Sequence, residues 1–453
     1  MDKLNFYSAQ KVGKKWLITL DSGDWVALSE KNYSLLKSGK YKDDVFLLNV
    51  LKDRHIVLDS KNEADYVRSL RKKNMHLFYG PSLHIVAVTK RCNNDCLYCH
   101  ANATGRNDSS LDMDEKTARK TVDFIFKSPN KNISIEFQGG EPLLNFDTVK
   151  FIVDYAKKKN KTAQKNLLFS LVTNMTIMDD DKLKFLMKRR VGLCTSLDGP
   201  KSVHDKNRTF LDDRGTYDTV VKWIKKIKKN YPLEALMVTT KHSLEHPKEI
   251  IDEYRTLGFT NIQLRPMLML GKALANKDIM YSADEYLKFW KAAMEYLLKI
   301  NKKQFLRDRF ATYIVKKFFS NSAEFVDLNS PCGAAISTLA YDHDGKIFSC
   351  DEGRQYDLFN LGTVDMDYEK LFMGNECQSL IASTVNDCLL CDACVWKPFC
   401  GICVVCNYAK TGNVIPILSQ DDRCKILKGQ FEFLMEKILA DKDNETFLKW
   451  IKA

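Results

Sequence analysis

The residues best suited to chemistry in this sequence are its cysteines, and most of them occur in two clusters. Cys92, Cys96 and Cys99 have CxxxCxxC spacing, and most of the others lie between positions 332 and 424. The first residues lack the apolar segment of a secretory signal. We expect thiols in such a large chain to stay reduced, so their clustering indicates metal binding rather than disulfides.

The first cysteine cluster suits an iron–sulfur cluster better than a structural zinc ion. A structural zinc site uses four ligands in a closed tetrahedral set. Three thiolates on a four-iron cluster instead leave one iron open to bind and reduce a ligand. His100 follows Cys99 directly and could supply the fourth ligand of a zinc site, so zinc remains the alternative.

The elements that position these cysteines are predicted by hydrophobic patterning. Between residues 83 and 269, apolar segments typical of buried strands alternate with segments of helical periodicity. This alternation predicts an α/β fold, and six such units predict a partial (β/α)6 TIM barrel. The predicted strands cover 83–89, 133–140, 167–174, 192–199, 234–240 and 262–267. The first cysteines follow the first strand, at the rim where barrels place catalytic groups.

Four further segments flank the predicted barrel, which we assign to residues 81–275. Residues 1–80 contain a strand–turn–strand pattern and short helices, which predicts a small winged-helix-like module for peptide recognition. Residues 276–330 predict a helical linker, and residues 331–426 are cysteine-rich and irregular, so that they need metal to hold them. Residues 427–453 predict one C-terminal helix.

With Tyr98 before the third cysteine, the first cluster resembles the signature of the radical SAM superfamily. The resemblance covers residues 83–271. It implies that the open iron chelates the amino and carboxylate groups of S-adenosylmethionine (SAM). Electron transfer would then split SAM into methionine and a 5′-deoxyadenosyl radical. The ring of Tyr98 would lie against the adenine.

A glycine-rich segment after the second predicted strand resembles the GGE motif of the same superfamily. It consists of Gly139, Gly140 and Glu141. Glycines let the backbone come close to a ligand, and the carboxylate can pair with the methionine ammonium group. The resemblance therefore implies that this segment binds SAM.

Two further strand ends carry residues that resemble SAM contacts. Thr173 and Asn174 resemble the TNG element of the superfamily, but Met175 stands where glycine is usual. Ser196, in SLDG, matches a position that contacts the ribose, and Arg208 matches an arginine that binds the SAM carboxylate. The departure at Met175 concerns the geometry of the local turn.

The second cysteine cluster resembles the SPASM extension, which carries two auxiliary [4Fe–4S] clusters in radical SAM enzymes that act on peptides. The resemblance covers residues 332–424 and implies three [4Fe–4S] clusters in all, one of which binds SAM. The implied ligands are Cys391, Cys394, Cys400 and Cys424 for the outer cluster and Cys332, Cys350 and Cys403 for the inner cluster.

The inner cluster lacks a fourth cysteine in the position that is usual for the family. In addition, only two residues separate Cys400 from Cys403, where the family has three. Three alternatives for the fourth position stay open, namely Cys388, Cys406 and an iron left free for substrate.

Asp351 directly follows one implied ligand of the inner cluster. In related enzymes, an aspartate at this position can accept a proton as the substrate radical is oxidised, which requires hydrogen-bond reach. A turn aspartate without catalytic role is the alternative. Of the cysteines outside the clusters, Cys194 is predicted to be a buried apolar residue and Cys377 a surface thiol.

Composition excludes some classes of protein. The 453 residues, 45% of them hydrophobic and 28% charged, are ordinary for a globular protein of two or three domains. No apolar run approaches the roughly 20 residues of a membrane helix, so we expect a cytoplasmic protein with no membrane contact. The net charge of +12 lies in lysine-rich stretches without interleaved aromatic residues, so nucleic acid is not an expected partner.

The overall plan resembles the peptide-modifying maturases of ribosomal natural-product pathways. The segments GPSLHIVAVTKRCNNDCLYCHA and CVWKPFCGICVVCNYAKTGNV are similar to His-Xaa-Ser system radical SAM maturases. The resemblance implies a small ribosomally made substrate, whose leader adds a strand to the sheet edge of the front module, and an electron donor such as flavodoxin or ferredoxin. Two alternatives are a formylglycine-generating enzyme of the anaerobic sulfatase-maturase type and a zinc-stapled basic protein that binds nucleic acid.

Overall fold

The computed structural model describes residues 2–101, 103, 107–320, 326–385, 389–417 and 421–453. Cys388, one of the alternatives for the inner cluster, lies outside the described residues. In chain order the strands are β1 (Lys3–Leu4), β2 (Ser8–Val12), β3 (Lys15–Thr19), β4 (Trp25–Leu28), β5 (Val57–Leu58), β6 (Leu83–Ala87), β7 (Asn94–Cys96), β8 (Asn132–Gln138), β9 (Asn166–Thr173), β10 (Gly192–Ser196), β11 (Arg208–Phe210), β12 (Leu233–Thr239), β13 (Asn261–Ile262), β14 (Leu264–Pro266), β15 (Arg307–Asp308), β16 (Thr338–Tyr341), β17 (Lys346–Phe348) and β18 (Asn360–Thr363). The α-helices are α1 (Glu30–Lys37), α2 (Val45–Asp53), α3 (Glu63–Lys73), α4 (Glu115–Ile125), α5 (Phe146–Ala163), α6 (Asp180–Arg189), α7 (Lys201–Asn207), α8 (Tyr217–Ile227), α9 (Pro247–Thr256), α10 (Lys272–Ala275), α11 (Ala283–Ile300), α12 (Arg309–Ser320), α13 (Tyr368–Met373), α14 (Asn375–Ser383), α15 (Leu389–Asp392), α16 (Val404–Thr411), α17 (Asp422–Ala440) and α18 (Asn444–Lys452).

Six parallel strands form the predicted sheet, in the spatial order β14-β12-β10-β9-β8-β6. The α/β fold class is confirmed, and the arrangement is consistent with a partial barrel. Buried apolar side chains alternate along β8 and β12, and they pack against helices such as α4 and α5. The Asp114 side chain caps α4 by accepting a hydrogen bond from the amide of Thr117. The carboxyl ends of these strands therefore meet at one rim.

The cysteine-rich segment is more regular than predicted, and this prediction was wrong in detail. Strand β16 pairs in parallel with β6, and β17 and β18 continue the sheet in antiparallel fashion, which makes nine strands. Gly345 has a φ of +84° in the β16–β17 turn, which only glycine adopts easily. Because β16 lies beside β6, Cys332 and Cys350 are brought to the same cavity as the first cysteine cluster.

The front module has its own hydrophobic core, which includes Ile18, Leu36 and Leu51. Its sheet has the antiparallel order β2-β3-β4, and α1, α2 and α3 follow. The predicted hairpin is present as β3 and β4, and Gly23 in its turn has a φ of +87°. The winged-helix interpretation and the domain boundaries stay predictions.

The linker and the C-terminus are helical, but the prediction of a single C-terminal helix was wrong. The chain turns at Asp441, which has a φ of +57°, so that α17 and α18 are two helices. Helix α11, in the linker, begins with a capping box between Ser282 and Glu285 and packs against α17. Among the described helices, none is both long and apolar enough to cross a membrane.

Candidate active site

One cavity of about 610 Å³ lies at the carboxyl ends of the barrel strands and extends to the cysteine-rich segment. The predicted site residues that line it are Cys92, Cys96, Tyr98, Cys99, Gly139, Gly140, Thr173, Asn174, Ser196, Arg208, Cys332, Cys350, Asp351 and Cys403. The fold therefore brings together most residues that the sequence singled out. Glu141 and the implied ligands of the outer cluster are not among the lining residues.

The segment that carries the first three cysteines is not an open loop, because part of it pairs as a strand with another segment of the chain. Strand β7 pairs with β11, and this register places Arg208 opposite Cys96. The guanidinium of Arg208 lies 3.8 Å from the Cys96 sulfur, and the side-chain amide of Asn174 lies 3.8 Å from the Cys92 sulfur. Burial raises the pKa of Cys96 to about 11, while the charge of Arg208 acts in the opposite direction. These donors suit thiolates that ligate a metal cluster.

A buried aspartate, Asp198, orients two of the residues predicted to contact SAM. The hydroxyl of Tyr98 donates to its Oδ2 at 2.6 Å, and Nε of Arg208 donates to the same oxygen at 3.1 Å. Burial lowers the pKa of Arg208, but the charges of Asp198, Tyr98 and Cys96 together with the hydrogen bond to Asp198 outweigh this effect, so that the pKa is raised. The guanidinium also lies 5.0 Å from the centre of the Tyr98 ring. The predicted adenine and carboxylate contacts are thus parts of one ion-paired network.

The two glycines of the GGE motif are required by a close approach of two backbone segments. A Cβ on Gly139 would lie 2.2 Å from the carbonyl oxygen of Thr89, and one on Gly140 would lie 2.0 Å from that of Arg91. The amide of Gly140 donates to the Thr89 carbonyl at 2.8 Å. The glycines therefore let the motif pack against the segment that precedes Cys92, a reason that the sequence did not provide.

The carboxylate of Glu141 is buried and bonded within the protein. It accepts hydrogen bonds from the Thr173 hydroxyl at 2.7 Å, from the Asn174 amide at 2.7 Å and from the Leu143 amide at 3.0 Å. Burial raises its pKa to about 7, although these three bonds lower it. Glu141 thereby joins the GGE segment to the end of β9. Its predicted pairing with the methionine ammonium group stays a prediction.

The unusual Met175 keeps the turn that glycine would make. It has a φ of +59° and a fully buried side chain. The left-handed conformation costs a residue with a Cβ about 1–2 kcal/mol, and burial of the methionine side chain offsets this by a similar amount. The departure from the family pattern therefore does not alter the local turn.

Replacement of Gly140 by alanine is expected to reduce iron loading of the first cluster. The new Cβ would collide with the Arg91 carbonyl and disrupt the 2.7 Å bond from the Glu141 amide to that oxygen. Iron per chain after anaerobic reconstitution measures the effect. Gly374→Ala is the matched control, since its nearest neighbours lie 3.3 Å away and its φ is ordinary. Full iron loading of Gly140→Ala would show that the close approach is dispensable.

The implied ligands of the inner cluster lie together. Burial raises the pKa of Cys332, and the negative charges of Asp327 and Cys403 raise it further. In the same way, burial and the charges of Glu352 and Cys403 raise the pKa of Cys350. Cys403 is therefore within electrostatic reach of both other thiols, although 53 residues or more separate them in the chain. Their role as ligands stays a prediction.

The implied ligands of the outer cluster form a second group. Burial raises the pKa of Cys400 to about 12, and the charges of Cys424 and Cys394 contribute to that shift. The amide of Cys394 donates to the carbonyl of Cys391, one turn earlier. Their role as the ligands of the outer cluster also stays a prediction.

The donor chemistry of these groups fits four-iron clusters, whose irons are held by cysteine thiolates. His100, the alternative zinc ligand, instead bonds Asp351 at 3.0 Å. The donor sets therefore fit the larger cluster that the sequence implied.

Asp351 belongs to a chain of buried and half-buried polar side chains that joins the two cysteine regions. It accepts hydrogen bonds from Arg354 at 2.7 Å and is bonded to His100, which follows Cys99. Arg354 also lies 3.7 Å from Asp342, which pairs with Lys90 at 2.7 Å. Burial raises the pKa of Asp351, but Arg354 and His100 hold it below its ordinary value. The carboxylate therefore lines the cavity in its charged form.

Sequence reasoning missed three residues of the site and misplaced two others. Asp198 lies in the same SLDG motif as Ser196, and Arg354 lies in CDEGR beside Asp351, so both had a local signal. Arg423 had none. Cys377 is fully buried rather than exposed, and Cys194 lines the cavity rather than the apolar core.

Comparisons with known proteins agree with this geometry. Residues 86–254 match the Radical SAM superfamily. A cysteine-type anaerobic sulfatase-maturating enzyme of Clostridium novyi is 25% identical over 370 residues, which cover 79% of this chain and 96% of that protein.

Two solved structures share the fold. Native anSMEcpe with bound AdoMet superposes with a TM-score of 0.71 at 22% identity, over 80% of this chain and all of that one. Streptococcus suis SuiB bound to precursor peptide SuiA superposes with a TM-score of 0.57 at 14% identity, over 91% of this chain and 98% of that one.

Proposed function

The chain is a radical SAM enzyme homologous to anaerobic sulfatase-maturating enzymes, and we propose that it is a maturase that abstracts hydrogen from a ribosomally made peptide or protein. The observation that carries the proposal is the single 610 Å³ cavity shared by the first cysteines, the SAM-motif residues and the inner auxiliary cysteines. Its volume is within the range of pockets that enclose a cofactor and a substrate group. Within this proposal, the partner polypeptide carries His-Xaa-Ser repeats.

The similar proteins support a polypeptide substrate. The clostridial relative is named for maturing a sulfatase, and SuiB was solved with its precursor peptide. The SuiB structure covers 91% of this chain, against 80% for anSMEcpe. The chain therefore has a part without counterpart in the sulfatase-maturating structure, which favours a peptide maturase with an additional recognition module.

The residues around the cavity have defined roles in this proposal. Cys92, Cys96 and Cys99 would hold a [4Fe–4S] cluster, which together with bound SAM would supply the radical chemistry of hydrogen abstraction. Arg208 binds the SAM carboxylate, while Asp198 fixes the orientation of that arginine. The two auxiliary cysteine groups hold two further clusters, and a flavodoxin or ferredoxin supplies electrons.

Asp351 would accept the proton that the substrate loses when its radical is oxidised, and the inner auxiliary cysteines would hold the iron–sulfur cluster that takes up the electron. Replacement by asparagine is expected to lower modified product by a factor of about 10² or more while 5′-deoxyadenosine still forms, because a general base contributes roughly 10²–10⁴. Quantifying both compounds in the same reaction by mass spectrometry tests this. Asp344→Asn, in the nearby β16–β17 turn, is the control. Equal loss of both compounds in Asp351→Asn would assign Asp351 a structural role instead.

The proposed site for the leader peptide is the β4 edge of the front module. Within the described residues no strand pairs with the outer side of β4, whereas α17 packs beside β2. The amide of Leu20 donates to the Asp24 carbonyl, so these two residues form a hydrogen-bonded pair. Hydrogen-bonded and non-hydrogen-bonded pairs alternate along an antiparallel ladder. Ala27 lies three residues after Asp24 and therefore belongs to a non-hydrogen-bonded pair, so that its backbone N–H and C=O point to the open edge. An extended peptide can pair with these groups.

Ala27→Pro is expected to weaken peptide binding at least tenfold, because it removes an outward N–H donor from β4. The affinity of a labelled peptide and SAM cleavage without peptide are measured together. Ala9→Pro on β2, the opposite edge strand, is the matched control. Point variants are preferable to deletion of residues 1–80, because Thr19 bonds the Val395 carbonyl beside Cys394. Unchanged peptide affinity in Ala27→Pro would refute this docking edge.

The function is tested by reconstituting the protein without oxygen and reducing it. SAM and a His-Xaa-Ser polypeptide are then added to the reduced protein. We expect 5′-deoxyadenosine and a polypeptide changed in mass by loss of hydrogen. A polypeptide recovered unchanged while SAM is cleaved would refute this substrate.

Formylglycine formation is the second candidate, and the match to 96% of a cysteine-type sulfatase-maturating enzyme favours it. It would convert a substrate cysteine to an aldehyde that hydrazine reagents trap. A crosslinked product without aldehyde would favour the first candidate. The third alternative, a zinc-stapled protein that binds nucleic acid, is wrong, because the chain is a radical SAM enzyme.

A further inference from the structure

We propose that Cys406 is the fourth ligand of the inner auxiliary cluster, so that this cluster has no iron open to substrate. The inference rests on the proposed function for the presence of that cluster. Cys332, Cys350 and Cys403 supply three ligands. The observations below concern the fourth position, which the sequence left open.

Cys406 lies beside Cys403 at the start of α16. Cys403 is the N-cap residue of this eight-residue helix, and its sulfur accepts a hydrogen bond from the amide of Cys406 at 3.5 Å. The two residues have the CxxC spacing of Cys96 and Cys99, which are implied ligands of one cluster. A cluster bound by Cys403 is therefore within reach of Cys406.

A buried arginine, Arg423, faces the site together with the carboxylates of Asp327 and Glu352, and it can pair with one further thiolate. Each additional thiolate adds a negative charge, and a buried charge must be paired. The Arg423 guanidinium lies within electrostatic reach of both Cys403 and Cys406, and its Nη2 donates to the Asp327 carbonyl at 3.1 Å. Its buried Nε–H has no hydrogen-bond partner among the described residues. A sulfur acceptor of the inner cluster would satisfy that donor.

Among the residues that the structure describes, Thr338 is the other candidate for the fourth position. Its hydroxyl is buried, lines the cavity with Cys332 and Cys350, and has no hydrogen-bond partner in the described part of the chain. A hydroxyl is a poor ligand for iron compared with a thiolate. If Thr338 were the fourth ligand, or if the fourth iron had no protein ligand, removal of Cys406 would leave the inner cluster unchanged.

The test uses the full chain with Cys92, Cys96 and Cys99 replaced by alanine, so that only the auxiliary clusters remain. Iron content and electron paramagnetic resonance of the reduced protein are recorded with and without cyanide. The proposal expects two auxiliary signals that cyanide does not alter. Adding Cys406→Ala should change one signal and make it sensitive to cyanide. Cys377→Ala, which removes a buried thiol in α14, should change neither.

Two results would overturn the proposal. One is a Cys406→Ala spectrum identical to that of its parent, and the other is a parent signal that already responds to cyanide. If the alanine variant is insoluble, Cys406→Ser keeps the size of the side chain and can ligate through oxygen. In that case a shifted signal supports the proposal and an unshifted one overturns it. Because no reading depends on SAM cleavage or on peptide, these outcomes are separate from failure of the proposed function.

Discussion

A variant in which Cys92, Cys96 and Cys99 are all replaced by alanine is expected to release no 5′-deoxyadenosine above a no-enzyme control. The three thiolates are the predicted ligands of the cluster that binds SAM, and no described cysteine outside them lies on β7 or its flanking segments. Without them no iron can hold SAM or pass it an electron. Mass spectrometry after anaerobic reconstitution and reduction measures the product.

The control separates loss of one cluster from loss of the fold. The triple variant should keep the iron of the auxiliary groups, which lie on other segments of the chain. Cys194→Ala, which removes a thiol that lines the same cavity, should retain SAM cleavage. SAM cleavage at the parental rate in the triple variant would contradict the assignment of the catalytic cluster.

Asp198→Asn is expected to lower the free energy of unfolding by about 3–5 kcal/mol, the range for a buried ion pair that loses one partner. The Asp198 side chain is fully buried and that of Arg208 is 11% exposed. The variant leaves the arginine charge unpaired and weakens the bond that orients the Tyr98 hydroxyl. We therefore also expect weaker SAM binding. Denaturant unfolding and calorimetric titration with SAM measure the two effects.

Asp212→Asn provides the matched comparison, because it breaks an aspartate–arginine pair on the surface. Asp212 and Arg214 are 56% and 74% exposed, so the loss should stay below about 1 kcal/mol. If Asp198→Asn were no more destabilising than Asp212→Asn, the buried network would not be what positions Arg208. Retained SAM affinity in a destabilised Asp198→Asn variant would limit the role of Asp198 to stability.

The structure also explains how two chemically distinct regions act on one cavity. Lys90 and His100 flank the first cysteine cluster, and they bond Asp342 and Asp351 near the inner auxiliary group. Arg354 joins the two aspartates. Asp342, Asp351 and Arg354 are shielded from water, so the attraction among these three groups is stronger than on the surface. The network therefore fixes the distance between the regions.

The sequence by itself determined the fold class and most of the residues that lie around the proposed SAM-binding end of the cavity. Hydrophobic patterning predicts the six parallel strands because buried strands and amphipathic helices have different periods. Cysteine spacing predicts the first cluster because adjacent ligands of one cluster must lie within a few residues of each other. Both are local properties, and a local pattern is readable without neighbours from elsewhere in the chain.

Tertiary structure decided what depends on contacts between distant segments. The pairing of β16 with β6 joins residues more than 250 positions apart, and it alone brings Cys350 to the rim of the barrel. The reason for Gly140 is the carbonyl of Arg91, which belongs to another loop. Cys377 is buried and Cys194 faces the cavity because burial depends on what packs against a residue, and a single residue's surroundings leave no local pattern to read.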